Sequence, residues 1–215
     1  MIKVLIVDDH DLVRAGISLV LAAQEGISVV GEACSGEAAL QMCRELQPDV
    51  VLMDVRMPGI GGLGATAKMA VQYPLIKVLI ITVCEDDLMP RRLLQAGASG
   101  YLTKGASPEE MVKAIRTVHR GDPYISGHLA QQMAFQSLKP QPENSPFDGL
   151  SDREIQVALM VTTGKKVSEI SEILNLSPKT VNTYRYRIFE KIGAGSDVEL
   201  MRLAIRHGLV DAGTL

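Results

Sequence analysis

The sequence predicts an α/β domain with a doubly wound, five-stranded parallel sheet, followed by a smaller all-α domain of four helices. Three observations carry this reading. Five short apolar runs alternate with helical patterns over residues 1–121. A proline-rich stretch within 122–149 breaks that rhythm, and everything after Leu150 reads as helix. Short continuous apolar runs bounded by polar residues are the pattern of strands buried on both faces of a parallel sheet. Repeated βα units imply right-handed crossovers.

Strands are expected at about 3–7, 27–33, 50–54, 77–82 and 100–103, with helices near 11–23, 36–46, 62–73, 86–96 and 107–120. Ser107-Pro108-Glu109-Glu110 is a strong helix start, with proline in the first turn and carboxylates at the positive end of the dipole. Ala96-Gly97-Ala98 and Gly121 supply stops. Residues 122–149 read as a linker, with Lys139-Pro140-Gln141-Pro142-Glu143-Asn144-Ser145-Pro146 a linker by composition and a short helix around 127–136 before it. The second domain, 150–215, places helices near 152–163, 167–174, 178–192 and 197–207, punctuated by Gly164 and Gly193. Ser151 and Glu154 have capping-box spacing, and Ser177-Pro178 opens the third helix.

With 215 residues, 47% of them apolar, the chain can bury two modest cores. The three cysteines are scattered without a metal or disulfide spacing, which fits a reducing compartment. The first apolar run is broken at once by Asp8 and Asp9, unlike a signal peptide. No stretch approaches the roughly 18 apolar residues of a membrane span. A cytoplasmic protein with no membrane partner is expected. The net charge of −3 hides a local basic stripe, in which Lys179, Arg185, Arg187 and Lys191 face only Glu190 within 177–191.

Ligands of open parallel sheets bind outside the carboxyl ends of the strands. There this sequence gathers Asp8 and Asp9 after the first run, Asp54 after the third, Thr82 at the end of the fourth and Lys104 after the fifth. Converging carboxylates repel, so a divalent ion or raised protonation must relieve them. Oxygen donors of this kind suit Mg²⁺, which keeps waters for a phosphate. A carboxylate can also act as a nucleophile and form an aspartyl phosphate. Asp54, on the middle strand, is the expected nucleophile, with Asp9 the main metal carboxylate and Asp8 in a supporting role. Helix capping would account for one acid of this set, not for all of them. Gly59-Ile60-Gly61-Gly62-Leu63-Gly64 matches a dinucleotide-binding spacing, but a pyrophosphate there would face the acidic cluster. A glycine-rich turn with close helix packing is the better reading.

In the second domain, helices 167–174 and 178–192, separated by Asn175-Leu176-Ser177, have helix-turn-helix spacing. Lys179, Asn182, Thr183, Tyr184, Arg185, Tyr186 and Arg187 supply cations, hydroxyls and an amide, the mixture a recognition helix needs. A plain amphipathic helix with a basic surface would also give part of this pattern.

The combination of Asp8-Asp9, Asp54 followed by Met57-Pro58-Gly59, Thr82, Tyr101 and Lys104 resembles a response-regulator receiver, a flavodoxin-like domain, over its whole length. The resemblance implies phosphoryl transfer from a sensor histidine kinase to Asp54. It also implies Mg²⁺ at Asp9, Asp54 and the backbone carbonyl of Arg56, and switch roles for Thr82, Tyr101 and Lys104. Leu150-Ser-Asp-Arg-Glu154, Val167-Ser-Glu-Ile170, Ser177-Pro-Lys-Thr-Val181 and Lys191-Ile192 resemble the LuxR/NarL/FixJ type of DNA-binding domain. That likeness implies double-stranded DNA as a partner, with Lys179, Thr180, Asn182, Thr183, Tyr184, Arg185 and Tyr186 at the contact. It also implies a homodimer when active, formed through Val198, Met201, Arg202 and Ile205 of the last helix. Thr82-Val83-Cys84, the run 182–187 and the run 204–209 look most similar to the GacA/UvrY subgroup of global activators, which drive transcription of small RNAs.

Four positions depart from these families: Gly105 in place of proline, Val83 in place of a smaller residue, Asn182 in place of lysine and Tyr184 in place of histidine. Two other functions fit the sequence less well. An aspartate-nucleophile phosphatase needs a second acid two residues after the nucleophile, where Arg56 stands. A regulator acting independently of phosphorylation would not need Asp9, Asp54, Thr82 and Lys104 together. The expectation is a phosphorylation-switched DNA-binding regulator, not an enzyme.

Overall fold

The structure, a computed structural model, describes residues 1–82, 88–127, 129–131, 145–207 and 209–210. Two compact units form, one carrying all the strands and the other the helices after residue 145. Among the described residues no helix is long and apolar enough to cross a membrane.

The first unit runs β1 (Ile2–Val7), α1 (Asp11–Ala22), β2 (Ile27–Ala33), α2 (Gly36–Leu46), β3 (Val50–Met53), α3 (Gly61–Gln72), β4 (Lys77–Thr82), α4 (Leu88–Gln95), β5 (Gly100–Thr103), α5 (Pro108–His119) and β6 (Tyr124–Ile125). The sheet order is β2-β1-β3-β4-β5-β6, with every pairing parallel. Val4, Leu5, Ile6 and Val7 and the whole of β3 are buried, as apolar runs covered by helices on both faces must be. Chain direction across the sheet reverses at β1 and β3. Register sets Val7 beside Met53, Met53 beside Ile80, and Thr82 beside Thr103, so the residues that follow these strands emerge along one edge.

The sheet has six strands where five were expected, and it reaches past residue 121 into the segment read as linker. Gly121, at φ +94°, turns the chain, and Tyr124 and Ile125 pair with Gly100 and Tyr101. A two-residue strand is too short to show either alternation or an apolar run, so nothing in its sequence announces it. Of the short helix expected around 127–136, residues 127 and 129–131 are helical and 132–136 lie outside the described residues. Residues 83–87, including Val83, Cys84 and the start of the helix expected at 86–96, also lie outside them.

Ser107 caps α5 by accepting the Glu110 N–H, with Pro108 in the first turn, as the sequence indicates. The glycine-rich segment before α3 is explained by packing. A Cβ on Gly62 would stand 2.0 Å from the carbonyl oxygen of Asp54, so α3 begins in direct contact with the backbone that follows β3. Gly59 and Gly61 take φ values of +74° and +64°, conformations that glycine adopts freely.

The second unit opens with a 3₁₀ turn (Pro146–Gly149) and continues with α6 (Asp152–Thr162), α7 (Val167–Leu174), α8 (Pro178–Ile192) and α9 (Asp197–Arg206). The capping box at α6 is complete: the Ser151 hydroxyl accepts the Glu154 N–H, and Glu154 Oε2 accepts the Ser151 N–H at 2.7 Å. Asn175, at φ +51°, ends α7, and Ser177 caps α8 two residues later, which gives the tight turn between them. α8 packs against α6 and α7, while α9 packs on α6. Val181, Ile188, Leu200 and Ala204 are fully buried, as are Phe147, Ile155 and Ile170.

Gly62→Ala should destabilise the first unit by more than about 3 kcal/mol, because neither backbone can yield. Gly105→Ala, whose Cβ would meet nothing within 4 Å, should change stability by less than about 1 kcal/mol. Denaturant unfolding of the two variants side by side checks the contrast.

Candidate functional site

Asp8 follows β1 and Asp54 follows β3, and both are almost fully buried. Lys104, just beyond β5, reaches across the sheet edge. Its Nζ lies 2.6 Å from Asp8 Oδ2 and 3.4 Å from Asp54 Oδ2. The Lys104 N–H donates to the Thr82 carbonyl at 2.8 Å, which anchors the lysine's backbone to β4. Thr82 and Tyr101 are fully buried, and the Tyr101 ring is therefore in its inward position. The Asp54 N–H donates to the Val7 carbonyl at 2.8 Å, tying the two acidic strand ends together. The structure thus brings Asp8, Asp54 and Lys104 into direct contact, with Asp9 beside them. Arg56 follows in the β3–α3 loop, its side chain exposed.

Burial is the dominant effect on Asp54 and pushes its carboxyl up from the ordinary 3.8 to about 6. The nearby Lys104 charge opposes this, Asp8 adds to it, and the Val55 N–H lowers it slightly. For Lys104, burial alone would lower the ammonium's pKa. The hydrogen bond to Asp8 and the charges of Asp54 and Asp8 outweigh it and raise the pKa. In this arrangement the lysine is the cation that lets two buried acids share one site.

Asp9 is about one-third exposed, yet its Oδ1 is buried and accepts no hydrogen bond of good geometry, although His10 Nδ1 stands 2.9 Å away. An acceptor left in that condition fits a hard cation that seeks carboxylate oxygen. Among the described residues, Asp8, Asp9 and His10 are the group whose ligand atoms lie close enough together to hold an ion. Imidazole suits softer metals than Mg²⁺. His10 is well exposed, and its Nδ1 also lies 3.2 Å from Asp8 Oδ1. It reads as a partner of the two acids rather than a ligand.

Three contributors were missed in the sequence. His10 donates its backbone N–H to Asp8 Oδ1 at 2.9 Å. Arg14, from α1, donates to the Asp8 carbonyl at 2.7 Å and is also paired with Asp11. Glu37, from the first turn of α2, accepts the Ile60 N–H at 2.9 Å and so braces the loop between Asp54 and α3. His10 adjoins the acidic pair and could have been noticed. Arg14 and Glu37 carry no signal, because each acts on backbone. The Lys104–Gly105 peptide is trans, as are all others among the described residues.

The helical unit presents α8 with Val181 and Ile188 buried and Ile192 nearly so. Lys179, Thr183, Tyr186 and Arg187 are exposed, and Thr180, Asn182 and Tyr184 are half-buried. The Thr183 hydroxyl donates to the Lys179 carbonyl at 2.9 Å. Lys191 lies on the same helix and is exposed, but its Nζ is paired with buried Glu154 at 2.7 Å. On α9, Val198 and Arg202 are exposed, Met201 and Ile205 are half-buried, and Leu200 and Ala204 are buried.

An acidic pocket at the switch point of a parallel sheet, on one chain with a helix-turn-helix unit, defines a phosphorylation-switched transcription regulator. Residues 4–116 match the response regulator receiver domain, and residues 148–204 match the luxR family of bacterial regulatory proteins. The chain belongs to the response regulators, with a receiver and a LuxR-type DNA-binding domain. It is 63% identical to the response regulator GacA of Pseudomonas aeruginosa over 100% of both chains. It is 56% identical to the response regulator UvrY of Escherichia coli over 100% of this chain and 99% of that one. A two-component response regulator of the LuxR family from Aurantimonas superposes with a TM-score of 0.62 at 34% identity, covering 64% of this chain and 98% of that one. The GacA/UvrY likeness and the fold class read from sequence agree with these findings, and the chain is a regulator rather than an enzyme. Mg²⁺ binding at the acidic pocket is a property of the receiver family.

Because folding raises the Asp54 pKa, the folded state holds more protons than the unfolded chain between pH 3.8 and about 6. Without a bound cation, stability should fall as pH rises through that window. Asp54→Asn should then stabilise the metal-free protein at pH 7 by roughly 1–3 kcal/mol and flatten the dependence. Urea denaturation from pH 4 to 7 in the presence of a chelator measures both.

Proposed function

We propose that Asp54 is the phosphoacceptor and that its phosphorylation by a sensor histidine kinase switches the chain to a homodimeric state that binds double-stranded DNA. The observation that carries this reading is the Asp54 carboxylate, buried at the end of β3 with Lys104 Nζ 3.4 Å away. An Asp54 oxygen attacks phosphorus, the P–N bond to the donor imidazole breaks, and the imidazole leaves with its electron pair and takes a proton. Mg²⁺, held by Asp9, Asp54 and the Arg56 backbone carbonyl with Asp8 in support, would neutralise the phosphoryl oxygens. Lys104 offers its ammonium to the same oxygens, and Thr82 its hydroxyl. On phosphorylation Thr82 turns toward the phosphoryl group, and the buried Tyr101 ring fills the space it vacates.

For the output, Lys179, Thr180, Asn182, Thr183, Tyr184 and Tyr186 are the proposed DNA contacts. The exposed Lys179 serves phosphate, and Asn182 reads a base edge. Val198, Met201, Arg202 and Ile205 are the proposed dimer contacts, on the side of α9 that Leu200 and Ala204 leave uncovered. We place the receiver at 1–121 with β6 as its appendage, the linker within 122–149 and the DNA-binding domain at 150–215, in the cytoplasm. By its likeness to the GacA/UvrY regulators, the chain's targets are genes of small regulatory RNAs.

Incubation with acetyl phosphate and Mg²⁺ should give one phosphorylated species on a phosphate-affinity gel, lost in Asp54→Asn and on chelation. Phosphorylation should raise the dimer fraction in sedimentation. A modified Asp54→Asn protein, or free phosphate released over many turnovers, would count against the assignment.

A further inference from the structure

Arg185 has cationic character and lies on α8, so the sequence assigns it to DNA. Its surroundings give it another task. Arg185 Nη2 stands 2.6 Å from Asp197 Oδ1 and 2.6 Å from Asp197 Oδ2, at the first turn of α9. Its Nη1 donates to Asn182 Oδ1 at 3.4 Å, and the guanidinium lies 5.8 Å from the centre of the Phe189 ring. Its Nε is buried. The side chain is only 24% exposed. Both Nη atoms are thus engaged within the domain, while the buried Nε has no hydrogen-bond partner. Asp197 is held as well: Ser196 caps α9 through the Glu199 N–H, and a carboxylate in a helix's first turn is favoured by the dipole.

We infer that Arg185 is a positioning residue: its ion pair with Asp197 fixes the recognition helix α8 to the start of α9 and orients the Asn182 amide, and Arg185 itself makes no contact with DNA phosphate. The pair joins the helix proposed to read DNA to the helix proposed to dimerise, so the spacing between two recognition helices is set partly through it. Lys179, exposed on α8 and among the proposed contacts, is left as that helix's phosphate-facing cation. The inference rests on α8 being the helix that meets DNA.

The test uses the full-length chain and a fixed 30-base-pair duplex, with affinity measured across a salt series. Arg185→Gln should weaken binding about two- to fivefold, the range of one partly exposed ion pair, and leave the salt slope unchanged. A residue touching phosphate would instead lower the slope by about one. Lys179→Ala is the reference. A slope that does not change there overturns the reading of α8, whatever Arg185 does. Arg185→Glu should weaken binding further, and the exchange Arg185→Glu with Asp197→Arg, which preserves net charge, should restore most of the affinity and the melting temperature. Circular dichroism checks that each variant is folded at the binding temperature. If Arg185→Glu unfolds, the Arg185→Gln slope and the exchanged protein still decide. A slope that falls in Arg185→Gln, or an exchanged protein that folds yet binds as weakly as Arg185→Glu, overturns the inference.

Discussion

The first unit depends on a lysine placed between two buried carboxylates. Asp8 and Asp54 are delivered to one sheet edge by the burial of β1 and β3, and neither strand can shift without exposing its apolar residues. Left alone, two acids so nearly excluded from water would drive each other to protonate. Lys104 prevents this by bonding Asp8 closely and standing slightly farther from Asp54. The asymmetry matters, because the acid nearer the cation is the better neutralised. Asp54 keeps a raised pKa and holds a carboxylate that new partners can stabilise further. A group that gains on meeting a cation and a phosphoryl group is what a switch needs. A group already satisfied would have nothing to gain.

The helical unit shows the same logic in another form. Its buried carboxylate, Glu154, is satisfied three times over, by the Ser151 N–H, the Ser151 hydroxyl and Lys191. Those bonds overcome the cost of burial and hold its pKa below the usual carboxylate range. A complete shell makes Glu154 a fixed joint between α6 and α8. One carboxylate is thus kept incomplete and responsive, and the other is finished and structural.

Most of this architecture was legible because parallel strands buried on both faces leave continuous apolar runs. Asp8, Asp54, Thr82 and Lys104 stood out as the polar residues that end those runs. The caps at Ser107, Ser151 and Ser177 were equally visible, since hydroxyl, proline and carboxylate occupy fixed offsets. What escaped notice works through backbone or through distant partners. β6 is held by pairing rather than by an apolar pattern, and Glu37 acts on an amide 23 residues away. Arg185 was read by its charge. Its partner, Asp197, is 12 residues distant on another helix, and no local spacing reveals such a pair.

The contact of Gly62 with the Asp54 carbonyl has a mechanical meaning. With no room for even a methyl group between them, the amino end of α3 acts as a stop behind the acceptor, and Glu37 stiffens the loop that leads to it. Charge added to Asp54 cannot be relieved by backing the acceptor away from β4. The compliance must come from the opposite side, where Thr82 and Tyr101 belong to strands that the stop does not touch and Lys104 follows one of them. The site is therefore a one-way lever, rigid at the fulcrum and free to move only toward the edge that bears β4 and β5.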